Sequence, residues 1–353
     1  MIVTELHPKH AYCSLVIESA DDLWTLRRLI KKGDVVVARS SRVVKKDEEF
    51  SRPDKGERVK VTVALAVEDV HLDSSIERIR VKGRIVESTD ESVSKVGSHA
   101  ITLSPGHSVK VSKQSWTPLD TALVKSAATA SARFVLVAMD RREAGVGLLS
   151  GSHLSVLTNI ESGLGGKMSE EPSSGPYLAK VSSFVSQVAR EGDTVVVAGP
   201  GRTKNAVGNL LSAESKGRYK LTVLDGFDLT GPDGVRALVK FKGFGDIATE
   251  SVLLEVGAVV GEAVRRISSG GTKVAYTLQR VREAAESGAV EACAVSDDIF
   301  STGVDEEELV TTLNSIEEKR GKVYLADSSL EFGKQVSSFG GIVALLRYQV
   351  RAY

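Results

Sequence analysis

Residues 162–171 read SGLGGKMSEE, a run of glycines and small residues leading into a lysine. Backbone N–H groups of such a loop, with a nearby ammonium, are what a bound phosphate needs. The phosphate-cradling pattern G-x-x-x-x-G-K-[ST] is not met, however. Met168 stands where the magnesium-binding hydroxyl belongs, and Glu161, at the place of the first glycine, would repel phosphate. Nucleotide hydrolysis at this loop is therefore rejected. A second glycine-rich stretch, VVVAGPGRTKNA at 195–206, follows a strand-like run and opens a helix-like one, with Asp225 about one βαβ unit further on. A dinucleotide site would use that arrangement, but its third glycine, which lets helix and strand pack closely, is Lys204 here. A tight strand-to-helix turn is the expectation instead.

The remaining reactive residues do not assemble by spacing. The six histidines, at 7, 10, 71, 99, 107 and 153, form neither an HExxH motif nor a close pair with a carboxylate at metal spacing. No GxSxG elbow is present, so no hydrolase nucleophile is visible. Cys13 and Cys293 belong to no CxxC pair, which argues against a disulfide framework or a cysteine zinc site. The clearest local signal is basic. Residues 39–60 hold eight Lys or Arg against five Asp or Glu, and the stretch KKDEEFSRPDKG within them is too polar for a core. Further on, Arg78, Arg80, Lys82 and Arg84 alternate, so in a strand they share one face. Such a face could grip a phosphate backbone. It could equally be a solvated sheet edge guarded by charge.

These residues need elements to hold them. The chain has 353 residues, room for two or three domains. At 42% hydrophobic and 26% charged it has the composition of a globular protein. Lys+Arg and Asp+Glu both number 46, so any nucleic-acid partner must be met by a local patch rather than by the whole field. No apolar run is long enough to span a bilayer and the N-terminus lacks an apolar signal core, so a cytoplasmic protein is expected. Through residue 116 short β-branched runs dominate (34–44, 57–73, 76–86, 107–113), broken by one helix over 21–32. Ser19 or Asp21 would cap it, Gly33 would end it, and Leu23, Leu26, Leu29 and Ile30 form its apolar stripe. A small, highly bent sheet or barrel with one helix is the natural product. From Thr117-Pro118 strands and helices alternate, and near residue 245 the alternation restarts, which predicts two α/β domains. In the last of them the periodicity predicts helices over 249–267 and 272–288, the second with Val274, Leu278, Val281 and Ala285 on one stripe.

The order of these parts resembles the Pelota family in its short archaeal form. The blocks that carry the likeness are ADDLWTLRRLIKKGDVVVARSSR, RVKGRI, GSHAITLSPGHSVKVSKQSW, VVVAGPGRTKNA, ACAVSDDIF and FGGIVALLRYQV. The resemblance covers essentially the whole chain. It implies a multidomain protein: an Sm-like N-terminal β-barrel domain that binds RNA (1–116), then a middle α/β domain (117–244) and a C-terminal α/β domain for partners (245–353). The last two are similar to the corresponding domains of class-1 translation release factors. It implies ribosome rescue and mRNA surveillance, including no-go and non-stop decay. The factor enters the empty A site of a stalled ribosome, delivered by an elongation-factor-1-alpha-like GTPase in its GTP form. An iron–sulfur ABC-type ATPase then helps to part the subunits.

The resemblance also suggests residues. Arg39, Arg42, Lys45, Lys46 and Arg52 are candidates for rRNA or mRNA phosphates, and Pro200, Gly201 and Arg202 for the GTPase. Family members often carry Phe at the position of Arg202. Release factors place Gly-Gly-Gln where this chain has Gly165-Gly166-Lys167. Lys offers a point charge and no amide with paired donor and acceptor, so peptidyl-tRNA hydrolysis is not expected. No catalytic residue and no firm cofactor is expected in this role, and the chain is expected to be a monomer with no membrane partner. The alternative implied by the family is a divalent-metal-dependent endoribonuclease in the N-terminal domain. Asp21, Asp22, Asp47, Glu48 and Glu49 would then supply oxygens to the metal cation. Asp21 and Asp22 equally suit the positive start of their helix, and the other three a solvated loop.

Overall fold

The computed structural model describes residues 1–44, 57–73, 77–89, 98–128, 132–163, 175–248 and 251–350, with backbone alone at 41–44 and 57–60. The chain forms two compact units. One takes Met1–Ala130, Glu262–Leu325 and Gln335–Tyr353; the other takes Ser131–Gly261 and Ala326–Lys334. Among the described residues no helix is long and apolar enough to cross a membrane.

The first unit begins with β1 (Ile2–His7), β2 (Tyr12–Val16), α1 (Ala20–Leu29), β3 (Val35–Val44), β4 (Glu57–Leu72), β5 (Ile79–Ser88), β6 (Ser98–Leu103), β7 (Ser108–Ser112) and α2 (Pro118–Ala128). The strands make a seven-stranded sheet in the order β1-β2-β7-β3-β4-β5-β6, antiparallel at every pairing. Ser19 caps α1 in a capping box whose other half is the Asp22 carboxylate. The helix ends at Leu29 rather than at Lys32. The Asp34 carboxylate accepts the Lys31 N–H at 2.8 Å and the Lys113 ammonium at 2.6 Å, drawing the chain into a turn. Leu23, Leu26, Leu29 and Ile30 are all at most 1% exposed, in one core with Val36, Val63, Leu65, Ile79 and Val81 from the strands. Each such side chain contributes about 1.5–3 kcal/mol of transfer free energy, so the stripe rather than helix propensity holds α1 in place.

The second unit contains β8 (Arg133–Met139), β9 (Glu143–Ser150), β10 (His153–Glu161), α3 (Gly175–Val188), β11 (Thr194–Ala198), α4 (Thr203–Ser215), β12 (Lys220–Val223), α5 (Gly231–Leu238) and α6 (Lys242–Gly245). Its sheet runs β10-β9-β8-β11-β12. β8, β11 and β12 are mutually parallel, while β8, β9 and β10 form an antiparallel meander. The central strands are apolar on both faces, as strands covered on both sides must be. Val135, Val137, Val195 and Val197 pack with Val181, Val185, Val207 and Leu211 of α3 and α4. Phe134, Leu136, Ala138 and Val196 pack with Val235, Leu238 and Phe244 of α5 and α6. The distant segment Ala326–Lys334 belongs here too. Leu330 lies in that second core, and Asp327 accepts the Leu154 N–H at 3.1 Å.

α7 (Val252–Ser268) leads back to the first unit, which is completed by β13 (Val274–Tyr276), α8 (Leu278–Glu286), β14 (Val290–Ser296), α9 (Glu306–Glu318), β15 (Lys322–Ala326), the second half of α10 (Glu331–Ser338) and β16 (Ile342–Leu346). Their sheet is ordered β13-β16-β14-β15. One helix expected over 272–288 is in fact a strand and a helix. Val274–Tyr276 pairs antiparallel with β16, and Thr277, at φ 67, separates the two. A helical stripe of Val274, Leu278, Val281 and Ala285 is equally satisfied by a buried strand followed by a helix. Periodicity over so few turns cannot separate the two cases.

Candidate functional site

Of the candidates for RNA contact, Arg39 and Arg42 sit on β3. Val36 and Ala38 point into the core at 0% and 4% exposure. Alternation therefore turns Arg39 outward, and it is exposed. Arg39 lies opposite Thr62 and Arg42 opposite Val59, so both occupy the same strand near its described end. Lys45, Lys46 and Arg52 lie outside the described residues, as do Asp47, Glu48 and Glu49. The same holds for Gly165, Gly166 and Lys167.

The second basic stretch is resolved in detail. Ile79, Val81 and Ile85 of β5 are buried, while Arg78, Arg80 and Arg84 are exposed and Lys82 is half-buried. Arg80, Lys82 and Arg84 therefore share the outer face, as the alternation requires, and Arg78 stands just before the strand. β5 lies between β4 and β6 and is not an edge, so guarding an edge cannot explain them. Arg84 contacts Glu68 at 3.0 Å and Lys82 contacts Asp69 at 3.5 Å, both acids coming from the bulged part of β4.

The turn at 199–202 is set by sterics. Gly199 has φ 137, and a Cβ there would stand 1.8 Å from the Met139 carbonyl oxygen. Only glycine fits. Gly201, at φ 70, faces open space, and Arg202 is exposed immediately before α4. Lys204, buried on α4, reaches Asp225 at 2.9 Å. The two residues that a dinucleotide would have required in other roles thus engage each other.

Two of the proposed metal-binding carboxylates, Asp21 and Asp22, lie at the start of α1. Asp22, 4% exposed, accepts the Glu18 N–H at 2.7 Å and the Ser19 N–H at 3.2 Å through one oxygen. Asp21 occupies the first turn of the same helix, and its carbonyl accepts the Thr25 hydroxyl at 2.9 Å. A metal centre needs carboxylates converging from separate elements. Asp21 and Asp22 are neighbours on one helix end, and one oxygen of Asp22 serves the cap, so carboxylates from another element would have to come from Asp47, Glu48 and Glu49, which lie outside the described residues. Neither thiol is activated: burial pushes Cys13 up to about 11 and Cys293 up to about 12.

Sequence reasoning missed a cluster of charge between α1 and α9. Arg27 and Arg28 are 2% and 3% exposed. Arg27 bonds Glu306 and Glu307, and Arg28 donates to Asn314 at 3.0 Å and to Glu317 at 2.7 Å. The Asn314 amide returns a bond to the Arg28 carbonyl at 3.3 Å. His71 stands 3.3 Å from Glu306, and Trp24 meets Phe300 edge-on at 5.5 Å. The available signal was two arginines inside an otherwise apolar helix face.

Comparison with known proteins agrees with this architecture. The Pelota N-terminal domain family matches residues 2–128, and the family eRF1 domain 3 matches residues 253–350. The pelota homologue of Nitrosopumilus maritimus is 36% identical over 341 residues, covering 96% of this chain and 97% of that one. The homologue of Cenarchaeum symbiosum is 32% identical over 337 residues, covering 95% and 96%. The crystal structure of the Thermoplasma acidophilum Pelota protein shares the fold with TM-score 0.64 at 19% identity, covering 99% of this chain and all of that one. With a relative 36% identical along nearly its whole length and the Pelota N-terminal domain at its start, the chain belongs to the pelota family.

Proposed function

We propose that this protein is a ribosome-rescue and mRNA-surveillance factor of the cytoplasm. It recognises stalled ribosomes through the empty A site and promotes subunit dissociation with a translational GTPase, without hydrolysing peptidyl-tRNA. The observation that carries this reading is family membership over nearly the full length, with 97% of the N. maritimus relative covered. In this reading the β3–β4 hairpin reaches rRNA or mRNA phosphates through Arg39, Arg42, Lys45, Lys46 and Arg52. The turn Pro200-Gly201-Arg202 meets the GTPase in its GTP form, and an iron–sulfur ABC-type ATPase completes the separation. The chain acts as a monomer of three functional segments, 1–116, 117–244 and 245–353.

The test is co-sedimentation with stalled ribosomes, with the GTPase and a non-hydrolysable GTP analogue present. Wild type is expected to pellet. A variant carrying Arg39→Glu, Arg42→Glu and Lys46→Glu should pellet less and with weaker salt dependence, because each lost phosphate contact removes a counterion-release contribution. Normal binding by the triple variant would sink the hairpin assignment.

A further inference from the structure

We propose that the outer face of β5 is a second nucleic-acid contact, a cationic strip that follows the backbone of single-stranded RNA. It rests on the reading of this sheet as an RNA-binding one, but it uses residues apart from the β3–β4 hairpin. The outward positions Arg80, Lys82 and Arg84 of β5 are cationic, with exposed Arg78 just before the strand, and the inward residues Ile79, Val81 and Ile85 fix the strand's orientation. Alternate residues of a strand are about 6.6 Å apart, a step comparable with that between successive phosphates of an extended strand. Gly83 keeps the ladder tight, since a Cβ there would stand 2.0 Å from the Ala66 carbonyl oxygen. Arg80, Lys82 and Arg84 are thereby carried on an unbroken register with β6 rather than on a loop.

The surroundings are asymmetric. Toward β6 the facing residues are Thr102, Ala100 and Ser98, none of them charged. Toward β4 stand His71, Asp69 and Glu68. Arg84 and Glu68 are 77% and 45% exposed, and Lys82 and Asp69 are 43% and 42% exposed. Pairs that open to water are weak and exchange readily, so a phosphate arriving from the β6 side can compete for both cations. A row of fixed positive charges flanked by hydroxyls fits an alternating sugar-phosphate chain, with the phosphates on the cations and the ribose hydroxyls toward Thr102 and Ser98.

The experiment titrates the full chain against a fluorescein-labelled, unstructured RNA of about 20 nucleotides, followed by anisotropy across roughly 50 to 200 mM KCl. Arg80→Glu with Arg84→Glu should weaken binding about tenfold and flatten the log–log salt slope by about 1.4, two single-strand contacts' worth. Arg80→Gln with Arg84→Gln should give a smaller loss in the same direction. Glu68→Gln with Asp69→Asn should tighten binding, because it frees two cations. These side chains point to solvent, so unchanged circular dichroism and Tm are expected alongside. Unaltered affinity and slope in both arginine variants would overturn the proposal. So would an equal loss on poly-glutamate of matched length, which would make the strip a patch for acidic protein. Should the strip variants lose naked RNA while ribosome co-sedimentation ignores both strip and hairpin, the strip would stand and the ribosome reading would fall.

Discussion

Glycine at 199 and glycine at 201 look alike in the sequence and are different constraints in space. At Gly199 a side chain would meet the backbone carbonyl of Met139, the last residue of β8. At Gly201 the cost is only that of a left-handed φ. Gly199→Ala should therefore destabilise by at least about 2 kcal/mol, and Gly201→Ala by about 1 kcal/mol, in urea unfolding. Equal effects would refute the clash. The thiols give a second expectation at this scale. Cys13 and Cys293 are buried with their pKa values raised from 9.0 to about 11 and about 12. The folded state then holds the proton more tightly than the unfolded state. Their contribution is intact below pH 9.0 and is lost as pH rises toward 11 to 12. Ellman's reagent should find no fast thiol at pH 8 until denaturant is added. Rapid labelling of the native protein would contradict the burial.

At the scale of elements, α1 does more than fill the seven-stranded sheet. Its leucines face the strands, while Arg27 and Arg28 carry charge into contact with α9. Arg28 is nearly sealed from water and satisfied on both sides of its guanidinium, by Asn314 and Glu317. Removing one partner of such a group strands the other, which costs about 3–5 kcal/mol. Arg28→Ala should lose about that much, and Arg28→Met less, since Met fills the volume. A double-mutant cycle of Arg28→Ala with Asn314→Ala should show coupling above about 0.5 kcal/mol. Additive effects would mean that the two do not act as a pair. The leucine stripe and the Ser19 cap of α1 were legible in the sequence, because periodicity and capping are local signals. Arg28 with Asn314 was not, because the partners are 286 positions apart. β1, β2 and β6 also escaped notice. IVTELH, YCSLV and SHAITL are short, and charged or polar residues interrupt them. Pairing with neighbours, not propensity, makes them strands.

For the whole molecule, the chain order of domains was readable and the boundaries of the compact units were not. Alternating strands and helices after Thr117 announce α/β structure wherever they occur. Nothing local says that Ala326–Lys334, from the last residue of β15 into the first half of α10, packs with residues far before it. Among the candidate sites, the face of β5 was legible because alternation alone fixes it, while the role of that face depends on which strands lie beside it. The discontinuity has a measurable consequence. The first unit has its own core, and the second has two cores on the faces of its sheet. Units with separate cores can melt separately. Calorimetry of the full chain should therefore show two transitions. Leu313→Ala, in the first core, should lower one of them, and Phe244→Ala, packed edge-on to Phe134 at 5.3 Å, should lower the other. Leu330→Ala is the discriminating variant. By sequence it is flanked by strands of the first unit, but its side chain is 4% exposed in the second unit's core beside Phe244 and Leu253. It should cost about 2–5 kcal/mol and move the same transition as Phe244→Ala, leaving the Leu313 transition in place. A shift of the Leu313 transition instead would place the segment with its sequence neighbours and undo the assignment.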